Sequence, residues 1–196
     1  ISSPLGGAIE YDGVVFYGTT TDADRGVVAT EQFIALVSDY IANDSASAQK
    51  AFNSPTNGAI TLDAATTYMM EGVYYITRGL GSVSHTLGVL FALGGSLTSI
   101  TYTADTTSTA TYALGAVSRF YNTAAGLLTV TAASTDTTEN ITVTIKGMVR
   151  TNAAGTFTPQ IQYSSAPGGA PTILKNSYFK LTPVGTSTVA SVGNWS

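Results

Sequence analysis

The chain of 196 residues contains no cysteine and only one histidine, His85. Without cysteine there is no disulfide framework, no thiolate nucleophile and no zinc site built on thiolates. A single imidazole cannot form a multi-histidine metal centre, and we expect neither a metal nor an organic cofactor. Ser84 and His85 would point to opposite faces of a strand, so no catalytic triad is predicted there. We expect His85 to have a structural or interfacial role.

Charged residues are also scarce, at 10% of the chain, with 8 Lys plus Arg against 12 Asp plus Glu. A nucleic-acid partner would require a clustered basic surface, so the net charge of −4 argues against one. No run of 18 apolar residues is present, and we expect no insertion into a membrane. Because the chain begins at Ile1 and its first methionine is Met69, we expect it to be part of a longer protein.

Threonine is abundant, with 32 residues, as are glycine, valine and tyrosine. This composition favours packed β-structure over disorder. From residue 60 onward apolar residues recur with a period of two, and the frequent turns indicate an antiparallel sandwich or barrel. Pro159 predicts an edge strand or a bulge, because proline cannot donate to a ladder. Strands are predicted at residues 67–78, 84–93, 97–103, 127–132, 140–151, 156–163 and 177–184.

The N-terminal part has a different pattern. Asp12-Gly13 predicts the two-residue turn of a hairpin between residues 8–11 and 14–17. Apolar residues at three- and four-residue steps predict a helix over residues 31–43, capped by Thr30. The polar run over residues 43–50 indicates a boundary. We therefore expect residues 1–50 to form a neck of hairpin and short helix, and residues 51–196 to form the β-sandwich domain.

Several phrases of the sequence resemble those of a known family. Residues 58–75 contain Gly58-Ala59-Ile60-Thr61-Leu62 and Glu71-Gly72-Val73-Tyr74-Tyr75, and they resemble the opening strands of small jelly-roll domains at the C-termini of bacteriophage tail fibre and structural proteins. Residues 147–185 resemble the end of such domains, with Gly155-Thr156-Phe157-Thr158-Pro159-Gln160 and Phe179-Lys180-Leu181-Thr182-Pro183-Val184-Gly185. Glu10-Tyr11-Asp12-Gly13 resembles a hairpin that often precedes them. The resemblance covers residues 55–196, and 5–30 loosely.

The resemblance implies an antiparallel jelly-roll β-sandwich that forms a homotrimer, similar in architecture to the trimeric jelly rolls of the tumour-necrosis-factor and complement-type families. It also implies a place in the virion, contacts with other virion proteins through the N-terminal part, and binding to a host surface glycan or outer-membrane receptor. We therefore expect a non-catalytic fibre or spike domain. The first alternative is a purely structural capsid or tail decoration that only assembles.

The residues themselves favour an oligomer. Residues 67–78 place large apolar side chains on both faces, whereas an antiparallel sandwich normally has one polar face. The predicted strand at residues 84–93 has the same two-sided pattern. A monomer would expose an unusually large apolar surface, which a closed symmetric oligomer could cover. The predicted trimer interface contains Met69, Val73, Tyr75 and Leu90.

The sequence also offers candidates for ligand binding and for catalysis. Tyr112, Tyr121 and Tyr163 could bind a sugar face, although each also fits a core or interface position.

Asp136 and Glu139 form the closest acid pair of the predicted β-domain. A polysaccharide depolymerase needs two carboxylates across the sugar, and this enzyme is the second alternative. The sequence favours a solvated turn for this pair, and with it a protein without catalytic residues. Residues 22–24 lack the further ligands of a calcium loop, so a plain turn is predicted there.

Overall fold

The computed structural model describes residues 5–21, 24–53, 58–109, 117–193 and 195. All regular structure in these ranges is β-structure, without a helix. The strands are β1 (Ile9–Tyr11), β2 (Phe16–Thr21), β3 (Asp24–Val28), β4 (Gln32–Ala35), β5 (Tyr40–Ile41), β6 (Gln49–Lys50), β7 (Ile60–Leu62), β8 (Thr66–Gly79), β9 (Leu87–Leu93), β10 (Ser96–Thr109), β11 (Ser118–Asn122), β12 (Leu128–Thr129), β13 (Thr138–Ala153), β14 (Gly155–Tyr163), β15 (Pro171–Ile173) and β16 (Tyr178–Thr186).

Two antiparallel sheets pack face to face. In the larger sheet the order is β11-β10-β13-β8, and β8 then pairs with both β15 and β16, which pair in turn with β5 and β4. In the smaller sheet the order is β12-β9-β14, and β14 pairs with both β6 and β7. Strands β1, β2 and β3 form a third, separate sheet. The predicted antiparallel β-sandwich is confirmed.

The core follows the period-two pattern of the sequence. Every second side chain of β8 and β13 is buried between the sheets. Burial of each large apolar side chain stabilises the fold by about 1.5–3 kcal/mol. The alternation predicted for these two strands is therefore confirmed. The inward side chains are Tyr68, Met70, Tyr74 and Ile76 in β8, and Ile141, Val143, Ile145 and Val149 in β13.

An aromatic cluster joins the two sheets. The ring centroids of Phe91 and Phe157, in the smaller sheet, lie 4.6 Å apart. Phe179 of the larger sheet lies 5.9 Å from Phe91 and 6.1 Å from Phe157. Phe179 pairs with Gly72, and a Cβ on Gly72 would lie 2.5 Å from the Phe179 ring. Gly72 therefore leaves the space that this ring occupies.

The helix predicted over residues 31–43 is wrong, because this segment contains β4 and β5. Ile34 and Leu36 are buried two residues apart, whereas Val37 is 91% exposed. The three- and four-residue spacing thus did not describe a buried face. An isolated helix of this length is marginal in water, whereas β16 and β15 offer backbone partners to β4 and β5.

Three strands before residue 51 are joined to the sandwich. β4 and β5 pair with β16 and β15 of the larger sheet, and β6 pairs with β14 of the smaller one. The polar run over residues 43–50, predicted as a boundary, ends in β6. The division into residues 1–50 and 51–196 stays a prediction, but the helix predicted within residues 1–50 is absent from the described residues.

The hairpin predicted around Asp12-Gly13 is present as β1 and β2. Its loop spans residues 12–15, so the expected two-residue turn is wrong. The Asp12 carboxylate accepts hydrogen bonds from the backbone N–H groups of Val14 at 2.8 Å and Val15 at 2.9 Å. These bonds stabilise a longer loop, as an aspartate at the start of a turn commonly does.

Pro159 does not mark an edge strand or a bulge. β14 lies inside the smaller sheet, with β9 on one side and β6 and β7 on the other, and its register with β9 is continuous. The Pro159 carbonyl accepts from the N–H of Ala51 at 2.9 Å. The proline nitrogen faces the same side, since both backbone groups of a strand residue point the same way. On that side of β14, β7 pairs with residues 155–157 and β6 pairs with residues 160–161. Pro159 lies between these two pairings, so its missing N–H interrupts no ladder.

Candidate functional site

An arginine and a glutamate are buried together at one end of the sandwich. Arg78 and Glu139 occupy inward positions because they continue the alternation of Ile76 in β8 and Ile141 in β13. The register pairs the two residues directly. Arg78 Nε donates to Glu139 Oε2 at 3.1 Å, and the two side chains are 0% and 4% exposed.

The remaining N–H groups of Arg78 bind loop carbonyls. Nη1 donates to the carbonyls of Leu80 and Gly81, and Nη2 donates to the carbonyl of Asp136. Leu80 has a φ of 73°, which is uncommon for a residue with a side chain. The loops after β8 and before β13 therefore supply the polar groups that a buried guanidinium requires.

His85 completes the cluster. Its Nε2 lies 2.9 Å from Glu139 Oε2, and its Nδ1 lies 2.7 Å from the carbonyl of Val83. The Tyr163 ring packs edge-on against the imidazole, with centroids 5.3 Å apart. His85, Arg78 and Glu139 thus form one hydrogen-bonded group inside the protein, which we call the ion cluster.

The ion cluster stabilises the charged form of its glutamate. Burial raises the pKa of the Glu139 carboxyl, but hydrogen bonds from Ser134, His85 and Arg78 outweigh burial and hold this pKa below its ordinary value. Burial, together with the negative charge of Glu139, raises the pKa of Tyr163. We infer that the ion cluster carries an ionised carboxylate beside a neutral phenol at neutral pH.

A cleft of about 490 Å³ lies beside the ion cluster. Glu139 forms part of its wall and Asp136 part of its rim, together with the inward face of the β10–β11 edge and the segment before β13. Hydroxyl side chains dominate its lining. They are Thr106, Ser108, Ser118, Thr131, Ser134 and Thr135.

The structure gives the two acids singled out in the sequence different environments. Asp136 is exposed, whereas Glu139 is buried and bound to Arg78 and His85. These two residues do not form the open pair of carboxylates that a glycosidase uses to flank its substrate.

The tyrosines predicted as ligand candidates lie in different environments. Tyr121, in the edge strand β11, is 64% exposed. Tyr163 is fully buried, which agrees with the core position considered beside ligand binding. Tyr112 lies outside the described residues, as do Asp22 and Ala23 of the acidic turn.

The predicted interface residues lie on two opposite surfaces. Met69, Val73 and Tyr75 share the outer face of the larger sheet, where Met69 is 55% exposed and the other two are half-buried. Leu90 is half-buried on the outer face of the smaller sheet, because its neighbours Val89 and Phe91 point inward.

Arg78 and the partnership of His85 with Glu139 are not among the residues and contacts predicted from the sequence. A signal was present in the alternation of β8 and β13. Arg78 lies an even number of residues from the buried apolar side chains of β8, and Glu139 lies an even number of residues from those of β13. Two opposite charges at inward positions of neighbouring strands predict a buried ion pair once the register is known.

The described residues contain no group of three His, Asp or Glu side chains that could hold a metal ion. Within the same ranges, no helix is long and apolar enough to cross a membrane.

Comparison with known proteins finds no relative. No family model, curated protein or solved structure matches this chain. The resemblance to phage jelly-roll domains therefore stays a prediction.

The ion cluster makes Glu139→Gln a sensitive substitution. Glutamine keeps the size of the side chain but leaves the buried Arg78 without a counter-charge. We expect the free energy of unfolding to fall by about 3–5 kcal/mol, measured by urea denaturation at neutral pH and fixed protein concentration. Asp136→Asn is the matched control, because Asp136 binds Arg78 only through its backbone, and it should change little. A loss below about 1 kcal/mol for Glu139→Gln would show that the loop carbonyls satisfy Arg78 alone.

The lowered pKa of Glu139 predicts how stability depends on pH. The ordinary value is 4.5, so at higher pH the carboxyl is ionised in both the folded and the unfolded chain. As the pH falls below 4.5, the unfolded chain binds the proton first, and the contribution of Glu139 is lost through the lower folded pKa. The difference in free energy of unfolding between wild type and Glu139→Gln should therefore shrink between about pH 5 and pH 3. A constant difference over this range would contradict the lowered pKa.

Proposed function

We propose that the chain is a non-catalytic domain of a virion fibre or spike, which forms a homotrimer and binds the host cell surface. The strand order supports the fold behind this proposal, because it is the order expected of a jelly roll, and the attachment role comes from the resemblance seen in the sequence. To compare the strand order with that of a jelly roll, we count β4 with β5 as one strand, β6 with β7 as one strand, and β15 with β16 as one strand. The hairpin of β10 and β11 is an insertion.

Counted from β4, eight strand positions remain. The larger sheet contains the first, eighth, third and sixth of these positions, in that spatial order. They are β4, β16, β8 and β13. The smaller sheet contains the second, seventh, fourth and fifth positions, in that spatial order. The second position is β6 together with β7, and the other three are β14, β9 and β12. Two interleaved Greek keys produce this order, which supports the jelly roll that the sequence resemblance implies.

The outer face of the larger sheet supports an oligomer. Met69 pairs with Met148 on this face, and they are 55% and 38% exposed. Phe33 is 62% exposed and stacks on Tyr178, with ring centroids 5.9 Å apart. Large apolar side chains gathered on one face are unusual for a monomer and favour burial against another copy.

Three charges on the same face, those of Glu31, Glu71 and Lys180, are paired within the chain. Lys180 Nζ lies 3.2 Å from a Glu31 carboxylate oxygen and 3.8 Å from one of Glu71. Tyr178 donates its hydroxyl hydrogen to Glu71 at 3.0 Å. Paired charges reduce the repulsion between identical surfaces, so this face can approach another copy of the chain.

A ring of three identical chains uses two different surfaces of each protomer. Met69, Val73 and Tyr75 belong to the first surface in our proposal. Leu90, on the opposite sheet, is retained as a candidate for the second surface.

Two alternatives from the sequence remain outcomes of the tests. A capsid or tail decoration would also trimerise but would not bind cells. A depolymerase is less favoured, because Glu139 is engaged in the ion cluster rather than paired with Asp136.

Light scattering tests the trimer directly. At micromolar concentration we expect a mass of three times 20.2 kDa. Tyr75→Glu should lower the mass or unfold the chain, because it introduces a charge into the apolar face. Lys175→Glu, in the exposed turn between β15 and β16, is the matched control and should keep the wild-type mass. A stable, folded monomer of 20.2 kDa would overturn the proposed assembly.

Adsorption tests the attachment role. Fluorescently labelled trimer should bind the bacterial cells that the parent virus infects, and an excess of unlabelled trimer should slow adsorption of the virus. A trimer that forms but binds no permissive cell would favour the structural decoration and exclude receptor binding.

A further inference from the structure

We propose that the cleft beside the ion cluster binds a neutral saccharide. This inference rests on the proposed function and names the class of ligand through which the domain would attach to a cell surface. Four features of the cleft carry it: a change in side-chain chemistry along β10, an unpartnered hydroxyl, a lining of mixed polarity, and the sign of its charge.

The inward face of β10 changes character along the strand. At Ile100, Tyr102 and Ala104 it is apolar and buried in the core. The next two inward positions are Thr106 and Ser108, which line the cleft. The end of the sandwich is therefore lined by hydroxyl groups where the rest of the strand packs against apolar side chains.

Thr106 has a hydroxyl without a partner. The residue is 3% exposed, and its Oγ1 has no hydrogen bond within the described structure. Buried hydroxyl groups are usually paired, and an unpaired one is costly. Ser118, which pairs with Thr106 across β10 and β11, is exposed on the same face. A ligand hydroxyl beside these two residues would supply the missing partner.

The opposite side of the cleft is mixed in polarity. Val130, Ala132 and Ala133 provide apolar surface, and Ser134 and Thr135 add hydroxyl groups. A sugar ring has the same mixture of C–H surface and hydroxyl groups. The volume of about 490 Å³ lies within the range of small-molecule sites.

The charge of the cleft selects a neutral sugar. Asp136 and Glu139 are its only charged lining residues among those that the structure describes. Arg78 is close by, but its side chain is 0% exposed. The exposed Asp136 carboxylate can accept hydrogen bonds from sugar hydroxyls, whereas an acidic sugar would be repelled.

The experiment is a titration of the trimer with glucose, galactose and N-acetylglucosamine, followed by saturation-transfer NMR, with N-acetylneuraminic acid as the acidic comparison. We expect at least one neutral sugar to bind and the acidic sugar not to bind.

Thr106→Val should weaken that binding by about tenfold through loss of one hydrogen bond. It should not lower the melting temperature, because valine has the same shape and removes an unpaired buried hydroxyl. Ser118→Leu, which fills the mouth of the cleft, should abolish binding.

Thr101→Val is the matched control, because Thr101 is exposed on the opposite face of the same strand. It should leave binding unchanged. Absence of binding by all three neutral sugars would overturn the inference, as would wild-type affinity in both cleft variants. If both variants adsorb to cells as well as wild type does, the cleft is not the attachment site and the proposed function stands. If the wild-type trimer does not adsorb, the attachment function fails, whatever the titration shows.

Discussion

The guanidinium of Arg78 lies where water cannot reach it, and one end of the sandwich is organised around its hydrogen bonds. A buried charge is tolerated only when its donors are satisfied, and here Glu139 and three loop carbonyls share that task. The carbonyls belong to Leu80, Gly81 and Asp136, which follow β8 or precede β13. The same contacts therefore hold the two loops together and fix the segment that forms one side of the cleft. The left-handed backbone of Leu80 is consistent with this constraint, because its carbonyl accepts from the guanidinium.

The sequence could predict the long strands but not their partners. Alternation grouped the side chains of β8 and β13 by face and identified the inward face of β13, whereas the apolar residues on both faces of β8 left its inward face open. The helix predicted over residues 31–43 is wrong, because a short apolar segment fits both periods and only the edges of β15 and β16 decide between them. The ion cluster was missed for a similar reason. Arg78 and Glu139 are far apart in sequence, and proximity along the chain drew attention to Asp136 instead.

The two outer faces and the cleft divide the surface into regions of different chemistry. The outer face of the larger sheet combines exposed methionine and phenylalanine side chains with a lysine and two glutamates whose charges are already paired. Such a surface loses little when it is covered by a protein. The cleft is instead lined by hydroxyl groups that keep hydrogen-bonding capacity for a small polar molecule. Assembly through the first region would leave the second open, since the cleft faces the space between the sheets at their end. A trimer and a ligand site are therefore compatible in one molecule.

The ion pair also bears on how the register of the larger sheet is specified. A slip of β13 against β8 by one residue would turn its apolar side chains outward, so burial alone opposes that error. A slip by two residues keeps the alternation intact, and apolar burial distinguishes it poorly. In that register Arg78 would lie opposite Ile141 or Thr137 instead of Glu139, and its charge would lose its direct partner across the strands. Burial of the apolar side chains thus excludes register shifts by an odd number of residues. The buried ion pair disfavours shifts by an even number, because each would leave a buried charge without its partner. On this argument, the contact that the alternation pattern alone could not reveal is the one that selects a single register for the sheet.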